Sequence, residues 1–107
     1  MAEAIPHLQM AVASKPDNFA ARANLALALS MVGKADEAIP QEEAALKLSG
    51  GGDPRMLGFL GSLYAKAGRL PEAVAVTRQA LNIATQTNDR ELMAELNSDL
   101  TLYASAR

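Results

Sequence analysis

The sequence predicts an all-α fold, an α-solenoid of about six helices arranged as antiparallel hairpins, for two reasons. First, about a fifth of the 107 residues are alanine, and only four are Phe or Tyr. Alanine and leucine favour helix, whereas the β-branched and aromatic residues that strands prefer are scarce. Second, the chain repeats itself with a period of 34 to 35 residues, a length typical of helical repeat proteins.

The repeat is visible in three short segments, EAIP at residues 3–6, EAIP at residues 37–40 and PEAV at residues 71–74. The residues that share a slot include Glu3, Glu37 and Glu72; Ala4, Ala38 and Ala73; Ile5, Ile39 and Val74; and Ala11, Ala45 and Ala80. The second interval is one residue longer than the first, and we assign the extra residue to Asp53 in the loop SGGGDP. Each hairpin of such a repeat leaves one face unburied, so the hairpins are expected to stack.

Apolar periodicity and helix-end signals set the expected elements. The predicted helices cover residues 2–14, 18–32, 36–49, 53–68, 71–87 and 88–107. Asp17 or Asn18 is expected to cap the second helix, because a short polar side chain can accept a hydrogen bond from the first turn. Gly33 and Gly68 are expected to end the second and fourth helices, because glycine readily adopts the left-handed conformation found there.

Three further signals concern helix starts. Pro54 suits the first position of the fourth helix, where no intrahelical N–H bond is lost. Pro6 and Pro40 are expected in or near the first turn of their helices; if those helices begin a turn earlier, each proline removes one hydrogen bond. The sixth helix is expected to open at Asn88, where the sequence NDRE has the form of a capping box.

The stretch MLGFLGSLYAKAGRLPEAVAV, residues 56–76, carries a known motif. It resembles the tetratricopeptide repeat (TPR) signature W-x2-L-G-x2-Y, A-x3-F, P. The positions that match outright are Leu60, Gly61, Tyr64 and Ala73. Leu57 takes the Trp slot and Thr77 replaces the Phe.

The preceding unit resembles the same motif more weakly. Leu25 and Ala38 match, Ala26 replaces the glycine, Leu29 replaces the tyrosine and Glu42 replaces the phenylalanine. The resemblance implies a single TPR-like domain, residues 1–107. Its expected parts are a half repeat (3–18), two repeats (19–52 and 54–87) and a C-terminal capping helix (88–107).

The sixth helix departs from the repeat. Its apolar stripe consists of Leu92, Leu96, Leu100 and Tyr103, and its opposite face carries Glu91, Glu95 and Asp99. We expect the stripe to cover the last hairpin and the acidic face to contact water.

Composition argues against several classes of function. The net charge is −2 with no cluster of Lys and Arg, so nucleic acid is not an expected partner. No run approaches the roughly 20 apolar residues of a membrane span, so no membrane partner is expected either, and a cytoplasmic location is predicted. There is no cysteine for a disulfide, a thiolate metal site or a nucleophile.

Catalysis is not predicted. His7 is the only histidine, so the sequence favours neither a metal site nor a Ser-His-Asp triad, and His7 is expected at the surface. The acidic stretch DEAIPQEE is expected to be a solvated helix face, and the three glycines at residues 50–52 are expected to form a loop because no P-loop lysine follows them. We therefore predict no catalytic residue, no cofactor and no metal, and a chain that is not an enzyme.

The resemblance to TPR proteins implies a concave groove lined by the first helix of each hairpin. The predicted groove residues are Ala20, Ala23, Asn24, Leu27, Met31, Arg55, Ser62 and Lys66, with Gly58 on the same face. The expected function is binding of a protein or peptide, through a segment with an apolar anchor and some acidic character. In the alternative, Leu27 and Met31 pack against helix 6 or a neighbouring repeat.

Two other functions remain open at this stage. The chain begins with what resembles the second helix of a repeat, so a strip formed by Ala4, Leu8 and Ala11 is expected to lack its usual cover. Such a strip predicts a homodimer with a self-complementary contact. The chain could equally be the accessory TPR region of a larger bacterial enzyme.

Overall fold

The computed structural model describes residues 3–106, and these residues form helices without any strand. The helices are α1 (Ala4–Ser14), α2 (Phe19–Met31), α3 (Ala35–Leu48), α4 (Pro54–Lys66), α5 (Leu70–Gln86) and α6 (Arg90–Ser105). The all-α prediction is confirmed, and the predicted helix bounds agree to within about two residues, which is the usual spread of helix ends. The predicted ends at residues 2 and 107 lie outside the described residues. The chain divides into two compact units, unit 1 (Met1–Gly51) and unit 2 (Gly52–Arg107).

Helix ends follow the predicted local chemistry in α2 and α4. The Asn18 side chain accepts a hydrogen bond from the Ala21 N–H at 3.2 Å, and the Asp53 side chain accepts one from the Arg55 N–H at 2.9 Å. Gly33 and Gly68 follow these helices with φ of 81° and 80°. Because residues with a Cβ rarely adopt such angles, glycine is the natural choice at both stops.

One predicted helix cap is wrong by one residue. The α6 cap is Asp89, whose side chain accepts from the Leu92 N–H at 3.2 Å, and not Asn88. Asn88 instead has φ of 57° and closes α5, a conformation that asparagine tolerates better than most residues. Pro40 lies inside α3, beyond its first turn, where its ring removes one helical hydrogen bond.

Unit 1 is a hairpin of α2 and α3 with α1 packed against α2. Its buried apolar residues are Leu25, Ala26, Ala28, Leu29, Ala38, Ile39 and Ala45. No residue of α1 is buried. The acidic stretch in α3 differs from prediction, because Glu42 is only 2% exposed while Glu37 and Glu43 face water. Glu42 thus lies in the core at the slot where the repeat motif places phenylalanine.

Unit 2 is a hairpin of α4 and α5, and α6 packs against both. Its larger buried side chains are Leu57, Leu60, Leu63, Tyr64, Val74, Leu92, Leu96 and Tyr103. At Gly61 the two hairpin helices approach closely: an added Cβ would collide with Thr77 Oγ1 and lie 3.3 Å from the Ala73 carbonyl oxygen. The predicted role of Gly61 as a small contact point is confirmed.

Candidate partner-binding site

A cleft of about 290 Å³ opens between α4 and α6 within unit 2. We call it the α4–α6 cleft. Its lining residues are Arg55, Gly58, Phe59 and Ser62 of α4 and Leu92, Glu95, Leu96 and Asp99 of α6. The cleft therefore combines an aromatic ring, aliphatic groups, a hydroxyl and three charged side chains, as binding sites in proteins commonly do.

The floor of the cleft depends on a close approach of α6 to Gly58. A Cβ at Gly58 would lie 3.0 Å from Leu96 Cδ2, which is tighter than ordinary packing. The missing side chain therefore lets Leu96 reach the α4 backbone. Leu92 and Leu96 are almost fully buried beneath the cleft, whereas Phe59 is half-buried at its wall.

Ser62 contributes an acceptor to the cleft. Its hydroxyl donates to the Phe59 carbonyl oxygen at 2.7 Å, one turn earlier in α4. The proton is therefore used within the helix, while the oxygen lone pairs stay available. This arrangement suits hydrogen bonding to a donor on a ligand.

Arg55 is held at the mouth of the cleft by the start of α6. Its guanidinium Nη2 lies 3.6 Å from Asp89 Oδ2, and both side chains are at least one-third exposed. The other Asp89 carboxylate oxygen caps α6. Asp89 thus orients Arg55 and offsets its charge, although an exposed pair of this kind adds little to stability.

Acidic groups line the α6 side. Glu95 and Asp99 are one helical turn apart, a spacing that places their side chains on the same face. Burial raises the pKa of the Asp99 carboxyl above its ordinary value, and the neighbouring Glu95 carboxylate raises it further. The Tyr103 pKa is likewise raised by burial and by Asp99. Within residues 3–106 neither Glu95 nor Asp99 forms an ion pair that would offset its charge.

The predicted acidic face of helix 6 is therefore only partly a water face. Asp99 is half-buried and lines the cleft with Glu95, while Glu91 is exposed outside it. Helical spacing indicates that these carboxylates share one face of α6. Only the packing of α6 beside α4 shows that two of them line the same cleft as Arg55 and Phe59. Of the predicted apolar stripe, Leu92, Leu96 and Tyr103 are buried and Leu100 is half-buried.

The predicted groove residues fall in both units. Arg55, Gly58 and Ser62 line the cleft, and Lys66 is exposed on α4 beyond it. On α2 the exposed members are Ala20, Asn24, Leu27 and Met31, whereas Ala23 is half-buried. Leu27 is 46% exposed and Met31 is 60% exposed, so neither side chain is buried by the residues that the structure describes. A groove joining the two sets stays a prediction.

The remaining predicted site residues lie on α1. His7 and Ala11 are exposed, and Ala4 and Leu8 are half-buried.

Among the described residues no three His, Cys, Asp or Glu side chains are grouped to hold a metal ion. None of the helices described is both long and apolar enough to cross a membrane.

Solved structures with the same fold include PcrH and SycD. PcrH, in complex with the chaperone binding region of PopD, superimposes with a TM-score of 0.83 at 14% identity, over 97% of this chain and 78% of PcrH. The Yersinia enterocolitica type III secretion translocator chaperone SycD gives a TM-score of 0.85 at 17% identity, over 97% of this chain and 72% of SycD.

The RS-1 MamA ArsTM double mutant is a more distant match, with a TM-score of 0.71 at 16% identity, over 97% of this chain and 66% of that protein. The chain matches no protein-family model and no curated protein. At these identities the likeness concerns the fold alone, and that fold is a TPR-like all-α array of helical hairpins.

Proposed function

We propose that this chain is a non-catalytic member of the TPR family that binds a segment of a partner protein. The observation that carries the proposal is the α4–α6 cleft, which combines a buried aliphatic floor with polar groups at its walls. Sites with apolar contact area and a few directed polar groups are suited to holding a ligand in one orientation.

The chemistry of the cleft favours binding over catalysis. A serine nucleophile needs an adjacent base, but the Ser62 hydroxyl donates to a backbone carbonyl. The carboxylates of Glu95 and Asp99 lie on one helix at one-turn spacing, and not across the cleft from each other. Such groups can fix a ligand by charge and hydrogen bonds without any bond being made or broken.

The structural neighbours support a binding role. PcrH is seen with the chaperone binding region of PopD, and SycD is a translocator chaperone. The first is a complex with a segment of another protein, and the second is named as a chaperone. We propose the same class of work for this chain, without carrying over their particular partners.

The exposed apolar residues of α2 form a second proposed contact surface. Leu27 and Met31 lie one turn apart and present large side chains to solvent. Methionine adapts well to varied apolar partners. We propose that these two side chains contact an apolar anchor of a bound segment.

A cleft-filling variant tests the first surface. Peptides selected from a displayed library against the whole chain serve as probes, and fluorescence anisotropy measures Kd. Ser62→Tyr places a ring in the cleft and should weaken binding at least about tenfold, since the ligand must displace it. Arg78→Tyr, on an exposed site of α5, is the matched control and should bind normally. Equal affinities for all three proteins would reject the cleft as the binding site.

A charge-insertion variant tests the second surface. Leu27→Glu with Met31→Glu should abolish binding of the selected peptides while circular dichroism shows unchanged helicity. Met10→Glu with Leu48→Glu adds the same charge at exposed sites of the same unit and is the control. If the first double variant unfolds, the two residues belong to the core and this surface is wrongly assigned.

Self-association is a second candidate, favoured by the poor burial of α1. This helix packs mainly on α2, none of its residues is buried, and Met10 is 69% exposed. SycD has been crystallised in an alternative dimer. We propose a dimer through Ala4, Leu8 and Ala11. Sedimentation equilibrium should show dimers by high micromolar concentration and monomers for Leu8→Glu, whereas a wild-type monomer at millimolar concentration would exclude this contact.

A further inference from the structure

We infer that the α4–α6 cleft selects a basic side chain, and that the segment it binds carries an arginine next to apolar residues. This inference rests on the proposed peptide-binding function and specifies its ligand. From the residues of α4, the sequence predicts a ligand with some acidic character. For this cleft we expect the opposite charge, because the carboxylates of α6 join the lining only when α6 packs beside α4.

The charge balance of the cleft is the first argument. Arg55 is paired with Asp89 at 3.6 Å, so its positive charge is offset at the mouth. Glu95 and Asp99 add two carboxylates to the lining. The raised pKa of Asp99 reflects both its partial removal from water and repulsion by Glu95. A cation between the two carboxylates would relieve that repulsion.

The shape and polarity of the cleft are the second argument. A volume of about 290 Å³ lies near the lower limit for small-molecule pockets and suits a side chain better than a cofactor. Leu92 and Leu96 form an aliphatic floor that can cover the methylene stem of a long basic side chain. Phe59 on the α4 wall adds an aromatic ring to the lining, and aromatic rings attract cations.

Arginine fits this lining better than lysine. A guanidinium presents five donors in a planar fork and can bond carboxylates with two parallel hydrogen bonds. Glu95, Asp99 and the lone pairs of Ser62 are acceptors spread over two walls, which a fork reaches more completely than a single ammonium. A divalent metal ion is a poorer occupant, because it takes six or more oxygen ligands and no group of three or more ligating side chains occurs among the described residues.

Two capped pentapeptides test the inference on the whole chain. One has a central arginine flanked by leucines, and the other replaces arginine by citrulline, which keeps the shape and removes the charge. Titrations followed by ¹H–¹⁵N NMR give both Kd values and the shifted amides. The arginine peptide should bind at least about tenfold more tightly, as expected for hydrogen bonds to charged groups, and should shift amides of α4 and α6.

Protein variants tie the preference to the two carboxylates. Glu95→Gln with Asp99→Asn should reduce the arginine-to-citrulline preference to near unity. Glu91→Gln with Glu43→Gln removes the same charge from exposed positions outside the cleft and should keep the full preference. Glu95→Gln alone, at an exposed site, should lower the preference partly and guards against a folding defect caused by Asp99→Asn.

The outcomes separate this inference from the function on which it rests. Equal binding of the two peptides, or a preference that survives in the Glu95 and Asp99 double variant, overturns the selection of a basic group and leaves peptide binding intact. If neither pentapeptide binds while library-selected peptides do, the inference is again wrong. If no peptide of either kind binds, the proposed function itself fails.

Discussion

Unit 1 and unit 2 are built on the same repeat and differ in their third helix. In unit 1, α1 packs on α2 and buries no residue. In unit 2, α6 packs on both helices of the hairpin and buries Leu92, Leu96 and Tyr103. In this chain the repeat specifies the hairpin, and the third helix that contacts both hairpin helices, α6, adds core and encloses a cleft, whereas α1 does not add a buried residue.

The two hairpins also fill the same slots with different chemistry. At the glycine slot of the motif, unit 2 has Gly61 and unit 1 has Ala26, both buried. At the phenylalanine slot, unit 2 has Thr77 and unit 1 has Glu42, which are 0% and 2% exposed. A single repeat pattern therefore accommodates a hydroxyl in one core and a carboxyl in the other.

The largest effect on stability should come from shortening a buried side chain of α6. Leu96→Ala removes a side chain that is 1% exposed and should lower the free energy of unfolding by about 2–5 kcal/mol in urea titrations. Leu8→Ala makes the same chemical change on α1, where the side chain is only half-buried, and should cost far less. Equal losses would mean that α1 and α6 are attached equally well, contrary to the comparison.

The next effect concerns the closest contact within the unit 2 hairpin. Gly61→Leu should destabilise the protein by roughly 1–3 kcal/mol, because the new side chain would meet Thr77 and the Ala73 carbonyl. Gly61→Ala should also destabilise, although alanine favours helix by about 1 kcal/mol. A melting temperature equal to that of the wild type for Gly61→Leu would refute this packing.

A smaller gain in stability should follow from changing the buried hydroxyl of unit 2. Thr77 Oγ1 is buried and has no hydrogen-bond partner among residues 3–106. Thr77→Val replaces the hydroxyl by a methyl group and should raise the free energy of unfolding by about 1 kcal/mol. Thr101→Val is the control, because that hydroxyl is exposed and donates to the Asn97 carbonyl. A loss of stability in Thr77→Val would show that the hydroxyl has a structural role.

The smallest effect should be the pH dependence contributed by Asp99. Because its pKa is raised in the folded state, ionisation opposes folding as pH rises through that value, and the opposition is absent below the unfolded pKa. Asp99→Asn should therefore be slightly more stable than wild type at pH 7, by roughly 0.5 kcal/mol or less, as for most surface substitutions.

The stability difference for Asp99→Asn should shrink as pH falls from 7 towards about 4, the ordinary pKa of aspartate, and should be absent below that pH. Urea titrations at several pH values measure it, and Asp17→Asn, at an exposed turn, is the control. A difference that is constant with pH would remove the electrostatic explanation for Asp99.

Much of the fold could be predicted from local signals. The caps at Asn18 and Asp53 and the stops at Gly33 and Gly68 act within one or two turns, so their positions follow from nearby residues. Asn88 was misassigned because two adjacent polar residues could each have capped α6. Which of the two residues caps α6 depends on their φ angles, and these angles are set by the way α5 ends.

The candidate site could be predicted only in part. Arg55 and Ser62 were placed on one face of α4 by helical spacing, and both line the cleft. Glu95 and Asp99 were assigned to water, because a single helix shows which residues share a face and not what that face meets. Whether the second set of predicted residues, on α2, joins a common groove stays a prediction.

By itself the sequence determined the helices, their hairpin pairing and the small residue at Gly61, because periodicity, caps and repeat spacing are properties of neighbouring residues. The packing of α6 onto the hairpin is what brings Leu96 against Gly58 and places Glu95 and Asp99 in the same cleft as Arg55. The physical reason is that charge and shape in a cleft are set by residues far apart in the chain, and these become neighbours only when α6 packs onto the hairpin.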